Sequence, residues 1–128
     1  MIVGKSGAGK STLGNQLLNA GSEGEFVRFF QDGGGPAGVG TVCARETSRD
    51  GSLKVIDTPG IPDPSTRNTL KYFDAIVKET RGVGALNLLI FLAKEDRTTI
   101  QQFNHYKTLL KQFNYLPCEK LLVCRQPD

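Results

Sequence analysis

Gly4-Lys5-Ser6-Gly7-Ala8-Gly9-Lys10-Ser11-Thr12 contains GxxxxGK[ST] in full, and its reading decides the fold. Small residues let successive backbone N–H groups curl around phosphate oxygens, where a Cβ in the wrong place would block the approach. Gly4, Ser6, Gly7, Ala8, Gly9, Lys10, Ser11 and Thr12 are therefore the expected phosphate cradle. Lys10 is expected to reach the β- and γ-phosphates, Ser11 to ligate Mg²⁺, and the helix that starts here to aim its positive end at the anion. Ile2 and Val3 read as the end of an apolar strand. Lys10 to Ala20 reads as a helix, with Leu13, Leu17 and Ala20 on one buried face and Gly21 as its stop. A glycine-rich turn without a ligand is the alternative, and the strand, loop and helix context counts against it.

A second motif lies downstream. From Gly21 to Gly40 the chain is glycine-rich and without period, which predicts a long loop of the kind that senses a γ-phosphate or else an inconsequential surface loop. Thr41 to Thr47 can form a strand, Ser48 to Ser52 a hairpin turn around Asp50-Gly51, and Leu53 to Ile56 the returning strand. That strand delivers Asp57-Thr58-Pro59-Gly60. Asp57 supplies a carboxylate at a strand's carboxyl edge, where Mg²⁺ needs one across from Ser11, and Gly60 can offer an N–H to the γ-phosphate. Thr41, after the glycine-rich loop, is the expected metal-sensing threonine, with Thr47 in reserve. Lys10 and Thr41 are the candidate catalytic residues; Ser11, Thr41 and Asp57 are the candidate metal ligands.

The remaining chain alternates helix and strand. A helix is expected from Ser65 or Thr66, with Leu70, Phe73, Ile76 and Val77 as its buried stripe and Gly82 and Gly84 at its end. Leu86 to Ala93 reads as a central parallel strand. Thr98 and Thr99, with Gln101 and Gln102 three residues on, look like caps of a helix marked by Ile100, Phe103, Tyr106 or Lys107, Leu110 and Phe113 and ended by Pro117. Leu121 to Cys124 is the last strand, with Arg125-Gln126-Pro127-Asp128 leaving its carboxyl end. The order predicts an α/β protein, a three-layer α/β/α sandwich around a mostly parallel central sheet, with ligands at the strands' carboxyl ends. The short first strand and a last strand close to Asp128 are expected to belong to a domain incomplete at both ends.

Composition narrows the class. The chain has 128 residues, sixteen basic and thirteen acidic, and a net charge of +3. That suits one domain with one genuine core. Like charges do not cluster, which argues against nucleic acid as a partner. The longest apolar run, Leu88 to Ala93, is too short to cross a bilayer, and no signal-peptide pattern opens the chain, so a cytoplasmic location is expected. Cys43, Cys118 and Cys124 lack ligand spacing and are expected to be free thiols.

Gly4 to Asn15, a P-loop extended into Leu13-Gly14-Asn15, resembles that of the AIG1-type GTPases, which include the immune-associated nucleotide-binding proteins and have chloroplast import receptors as relatives. Asp57-Thr58-Pro59-Gly60 is similar to that family's third motif, and Leu89 to Thr98 to a box beyond it. The resemblance implies a P-loop NTPase fold, guanine nucleotide (GTP or GDP) with Mg²⁺, and nucleotide-dependent homo-oligomers or pairing with a related G domain. It also implies assembly at a membrane surface, on the cytosolic face, through segments outside this chain. Two departures stand out. Guanine is normally read by Asn-Lys-x-Asp, and here Arg125-Gln126-Pro127-Asp128 occupies that place, so Arg125 and Asp128 are the expected base-site residues. Many GTPases carry a glutamine after the Asp-x-x-Gly turn to orient water. Ile61 stands there instead and cannot do so, which predicts slow intrinsic turnover, a nucleotide-gated assembly module being the alternative. An ATP-using P-loop protein is a third reading, left open by the degenerate base motif.

Overall fold

The computed structural model describes residues 1–5, 7–31, 43–61, 68–94, 107, 111 and 113–125, with the backbone alone at 68, 69, 94, 124 and 125. The expectations that fall on Ser6, Thr41, Asp128 and most of the helix between Thr98 and Pro117 lie outside these residues. The described elements run β1 (Ile2–Gly4), α1 (Lys10–Asn19), β2 (Ala44–Thr47), β3 (Lys54–Asp57), α2 (Asn68–Val83), β4 (Leu88–Lys94) and β5 (Glu119–Arg125). They form one five-stranded sheet in the order β2-β3-β1-β4-β5. β1 pairs in parallel with β3 and β4, β4 in parallel with β5, and β2 alone runs antiparallel, to β3. The chain leaves β1 toward one side of the sheet and later returns to its other side, so the carboxyl end of β1 is the topological switch point at which such sheets take ligands.

Instead of the single core expected from length, alternation along the strands builds two, one on each face. Met1, Val3, Ile56, Leu89 and Phe91 face the layer of Tyr72 and Ile76 from α2, together with Phe113 and Leu116. Ile2, Val55, Ile90 and Leu92 face Ala8, Leu18 and Phe30 on the α1 side. Residues one apart in sequence thus go to opposite layers, which makes the three-layer sandwich a direct reading of strand periodicity.

Several boundaries and faces differ from expectation. The strands of the hairpin are Ala44–Thr47 and Lys54–Asp57, so Asp57 belongs to β3 rather than following it. β4 begins at Leu88 instead of Leu86, and β5 extends to Arg125, which pairs with Lys94. Arg125 is consequently a strand residue; the cross-strand ladder outlasts the apolar run. On α2 the expected stripe is shifted: Leu70 is 74% exposed, while Tyr72 and Ile76 are buried. Tyr72 takes the buried place because its ring buries as well as a leucine's.

On α1 the buried positions are Gly14, Asn15 and Leu18 besides Lys10, with Leu13 and Leu17 on the flanks and Ala20 exposed. The face is turned because a second segment lies on it. Asn15 donates from Nδ2 to the Phe30 carbonyl at 2.9 Å and accepts the Phe30 N–H at 2.8 Å. Asn19, one turn on, does the same for Val27, accepting its N–H at 2.9 Å and donating to its carbonyl at 2.8 Å. Each carboxamide pairs with one residue's N–H and C=O as a neighbouring strand would. Arg49, in the β2–β3 turn, donates to the carbonyls of Glu23 and Glu25. The first half of the expected featureless loop is therefore a strap, held by side chains rather than by a ladder. Phe30 is buried at its end, and its ring lies where a Cβ on Gly14 would come within 2.8 Å. That contact explains a glycine in mid-helix despite its cost of about 1 kcal/mol in propensity.

Ile76→Ala is expected to destabilise the protein by about 2–5 kcal/mol, whereas Leu70→Ala should change stability by no more than about 0.5 kcal/mol. Urea denaturation of the two variants measures the difference.

Candidate functional site

The loop between β1 and α1 is shaped by its glycines. Gly4 ends β1 so close to β4 that an added Cβ would lie 2.4 Å from the Leu92 carbonyl oxygen. Gly7 and Gly9 take φ of 81° and 96°, a region L side chains rarely adopt. Between them Ala8 is buried and its N–H reaches the Lys5 carbonyl at 3.1 Å. Gly9 is the N-cap of α1 and supplies no side-chain acceptor, and no acidic residue stands in the first turn. The helix thus opens with uncapped N–H groups and an uncompensated positive end, the arrangement that favours an anion.

Lys10 lies mostly buried at this end, its Nζ donating to the Lys5 carbonyl at 3.1 Å. Its ammonium bridges the loop from within. Burial lowers its pKa, and the nearby Asp57 carboxylate opposes that shift. Thr12, the next cradle candidate, is half-buried on the first turn.

Ser11 and Asp57 meet across the gap between α1 and β3. Ser11 Oγ donates to Asp57 Oδ2 at 2.7 Å. Asp57 Oδ1 is buried and has no hydrogen-bond partner. A buried carboxylate oxygen without a partner is costly, and here it stands beside a hydroxyl already turned to the same carboxylate. A hydroxyl and a carboxylate are oxygen donors of the kind that would suit a hard divalent cation. Burial raises the Asp57 pKa, while the Ser11 hydrogen bond and Lys10 pull it down.

The segment after Asp57 is stitched back to β1. Thr58 Oγ1 donates to the Ile2 carbonyl at 2.7 Å, and the Ile61 N–H reaches the Gly4 carbonyl at 3.0 Å. Gly60 lies between these fixed points, half-buried, at the same sheet edge as Gly4. Ile61 is buried in the α2-side core with Val3, Ile56 and Tyr72. Its side chain points into that core, so the position that carries a water-orienting glutamine in many GTPases is here a packing position.

The structure therefore brings Gly4, Gly7, Ala8, Gly9, Lys10, Ser11, Thr12, Asp57 and Gly60 to one end of the sheet. Ser6, Thr41 and Asp128 lie outside the described residues, and Arg125 is placed by its backbone as the last residue of β5. Asn15 and Thr58 stand in the motifs quoted above with no role assigned to their side chains, and Asn19 was missed in the sequence. The signal was available: two asparagines at i, i+4 inside a helix are disfavoured unless their carboxamides serve a backbone elsewhere.

The AIG1 family model matches residues 1–123. This chain belongs to the AIG1 family. Among curated proteins it is similar to "Immune-associated nucleotide-binding protein 12" of Arabidopsis thaliana, 36% identical over 107 residues. The match takes in 77% of this chain and 24% of that protein, so the AIG1 chain described here spans about a quarter of its relative's length.

Elsewhere the AIG1 chain shows less chemistry. Cys43 and Cys118 are free thiols, as expected. Burial, aided by Glu79 and Asp57, pushes Cys43 up to about 12, so it stays protonated and unreactive at neutral pH. Among the described residues no group of three or more His, Cys, Asp or Glu is placed to hold a metal, and no helix is long and apolar enough to cross a membrane.

The raised Asp57 pKa gives a signed prediction. A carboxyl whose folded pKa exceeds its unfolded value of about 3.9 stabilises the fold below that value, and loses the contribution as pH rises through the folded pKa. Melting curves of the nucleotide-free protein in EDTA should show Asp57→Asn gaining on wild type as pH is raised from about 3.9 to neutrality. A constant difference across that range would contradict the buried carboxylate.

Proposed function

We propose that this chain is the nucleotide-holding part of a GTP-binding protein, a Mg²⁺-dependent switch with slow intrinsic hydrolysis to GDP and phosphate. The observation that carries the reading is the Ser11–Asp57 pair at 2.7 Å with Asp57 Oδ1 buried and unpaired, next to a loop whose Gly7 and Gly9 hold positive φ. Family membership and the immune-associated nucleotide-binding relative support it.

In this reading the amides at the start of α1 bind the phosphate chain, and Lys10 exchanges the Lys5 carbonyl for phosphate oxygen. Ser11 and Asp57 would hold Mg²⁺, joined by Thr41. The metal supplies charge neutralisation on the β- and γ-phosphates. Gly60 offers its N–H to the γ-phosphate. Arg125 and Asp128 are assigned to the guanine. Partners are guanine nucleotide and a second G domain, of this chain or a related one, in the cytoplasm or on a membrane's cytosolic face.

A second reading, an assembly module with negligible turnover, is favoured by the burial of Ile61 at 7% exposure. The two separate on whether turnover per subunit rises with protein concentration, and on whether a non-hydrolysable analogue alone drives association. The nucleotide assignment itself is tested by competition of GTP against ATP, with Lys10→Ala as control. GTP is expected to win and Lys10→Ala to lose binding; tighter ATP binding would refute the guanine assignment, and full affinity in Lys10→Ala would refute the phosphate site.

Ile61→Gln makes a further check. Because the side chain faces the core, the amide would be buried without a partner, and the variant should lose about 1–3 kcal/mol of stability without faster GTP hydrolysis. Accelerated phosphate release would place residue 61 at the reacting water instead.

A further inference from the structure

We propose that Gly14, Asn15 and Phe30 are positioning residues that set the spacing between Ser11 and Asp57, and through it the affinity for the divalent cation, while leaving the phosphate cradle largely unaffected. The proposal rests on the nucleotide-site reading above and deepens it.

Two elements must meet for the metal to be held. Ser11 is carried by α1 and Asp57 by β3, and no covalent constraint fixes their separation. On α1, Gly14 and Asn15 stand three and four residues beyond Ser11, on the same helix face. On β3, Val55 stands two residues before Asp57, on the same sheet face. The Phe30 ring and the Val55 side chain both bear on the bare Cα of Gly14: an added Cβ would lie 2.8 and 2.9 Å from two ring atoms and 3.5 Å from Val55 Cγ1. Asn15 fixes Phe30 in that place through both backbone groups, at 2.9 and 2.8 Å. Asn15 is buried at 3% exposure and Phe30 at 4%, so the arrangement is enclosed.

Helix, ring and strand are therefore stacked one turn away from the Ser11–Asp57 contact. A methyl at residue 14 meets the ring and not the strand, since 3.5 Å to Val55 Cγ1 is ordinary contact; with the Phe30 backbone held by Asn15, α1 gives way and Ser11 moves relative to Asp57. The phosphate cradle is built differently. Its glycines, its helix-opening amides and Lys10 all belong to one continuous stretch, residues 4–12, and travel together when α1 shifts. Metal affinity and phosphate affinity consequently depend on different distances.

The quantity to read is the ratio of GDP dissociation constants in EDTA and in Mg²⁺, followed by a fluorescent GDP analogue on the full chain, with melting temperature recorded in parallel. Partners that hold metal ligands from behind typically change metal affinity by about 10–100-fold. Gly14→Ala should lower the ratio by about tenfold at the least, with the Kd in EDTA little changed. Asn15→Ala should shift it in the same direction. Phe30→Val, which removes the ring, should restore the ratio in the Gly14→Ala background. Asn19→Ala is the control: it loosens the strap at Val27, farther from Ser11, and should lower the melting temperature without moving the ratio.

A ratio that tracks the melting temperature across all four variants, Asn19→Ala included, would show a general loss of stability and overturn the proposal. An unchanged ratio in Gly14→Ala would overturn it as well. Should Gly14→Ala fail to fold, the double variant and Asn15→Ala make the same comparison. A wild-type protein that binds GDP equally in EDTA and Mg²⁺ would remove the metal site itself, and this proposal with it; wild-type dependence that survives in Gly14→Ala removes the proposal alone.

Discussion

One hydrogen bond, from the Ser11 hydroxyl to the Asp57 carboxylate, joins the two elements that carry the candidate site. It spans from the first turn of α1 to the last residue of β3, and it leaves one carboxylate oxygen buried with nothing to accept from. A fold tolerates such a group when a ligand will complete it, since isolated buried charge is otherwise costly. Lys10 adds a second mostly buried charge close by, and the two oppose each other's shifts. The surrounding architecture can be understood as support for this pair. The parallel sheet aims its strand ends at one place, and the two cores hold α1 and α2 on opposite faces.

The sequence made much of this visible because its signals were short-range. Gly4 to Thr12 specified strand, loop and helix, and the apolar stretch that leads to Asp57 specified a second strand ending at the same edge. Alternation in Leu89 to Leu92 was hidden, since all four are apolar, yet a continuous apolar run is itself the mark of a strand covered on both faces. What was not legible depended on contacts between distant residues. Leu70 fitted a helical stripe but is exposed, whereas Tyr72 is buried. The face of α1 centred on Gly14 and Asn15 could not be inferred from leucine spacing, because its partner is a strap held by carboxamides. Hydrophobic periodicity carries no information about a segment whose backbone is paired with side chains.

The strap changes the meaning of a glycine-rich loop. Residues 21–31 would be irregular by any backbone criterion, but their carbonyls and N–H groups are taken up at Glu23, Glu25, Val27 and Phe30 by Arg49, Asn19 and Asn15. Irregular and loose are different properties. At Phe30 the paired backbone groups are buried and need partners, at Val27 they are half-buried, and at Glu23 and Glu25 they are exposed; the two asparagines meet the need at a cost in helix propensity for α1. The Gly14-Asn15 pair after the P-loop thereby acquires a physical reason in this chain: one residue makes room for a ring and the next ties its backbone down.

The turn after Asp57 shows how little travel such a site permits. Thr58 and Ile61 are both tied to β1, through the carbonyls of Ile2 and Gly4, which leaves Pro59 and Gly60 as the whole span between two anchors on one strand. Pro59 has its φ fixed by its ring. Any movement of Gly60 must then be a crankshaft rotation of the peptide planes about those anchors, turning an N–H inward or outward. A motion of that kind redirects a dipole without displacing the chain, and it would pass directly to Ile61, whose side chain is a wedge in the α2-side core.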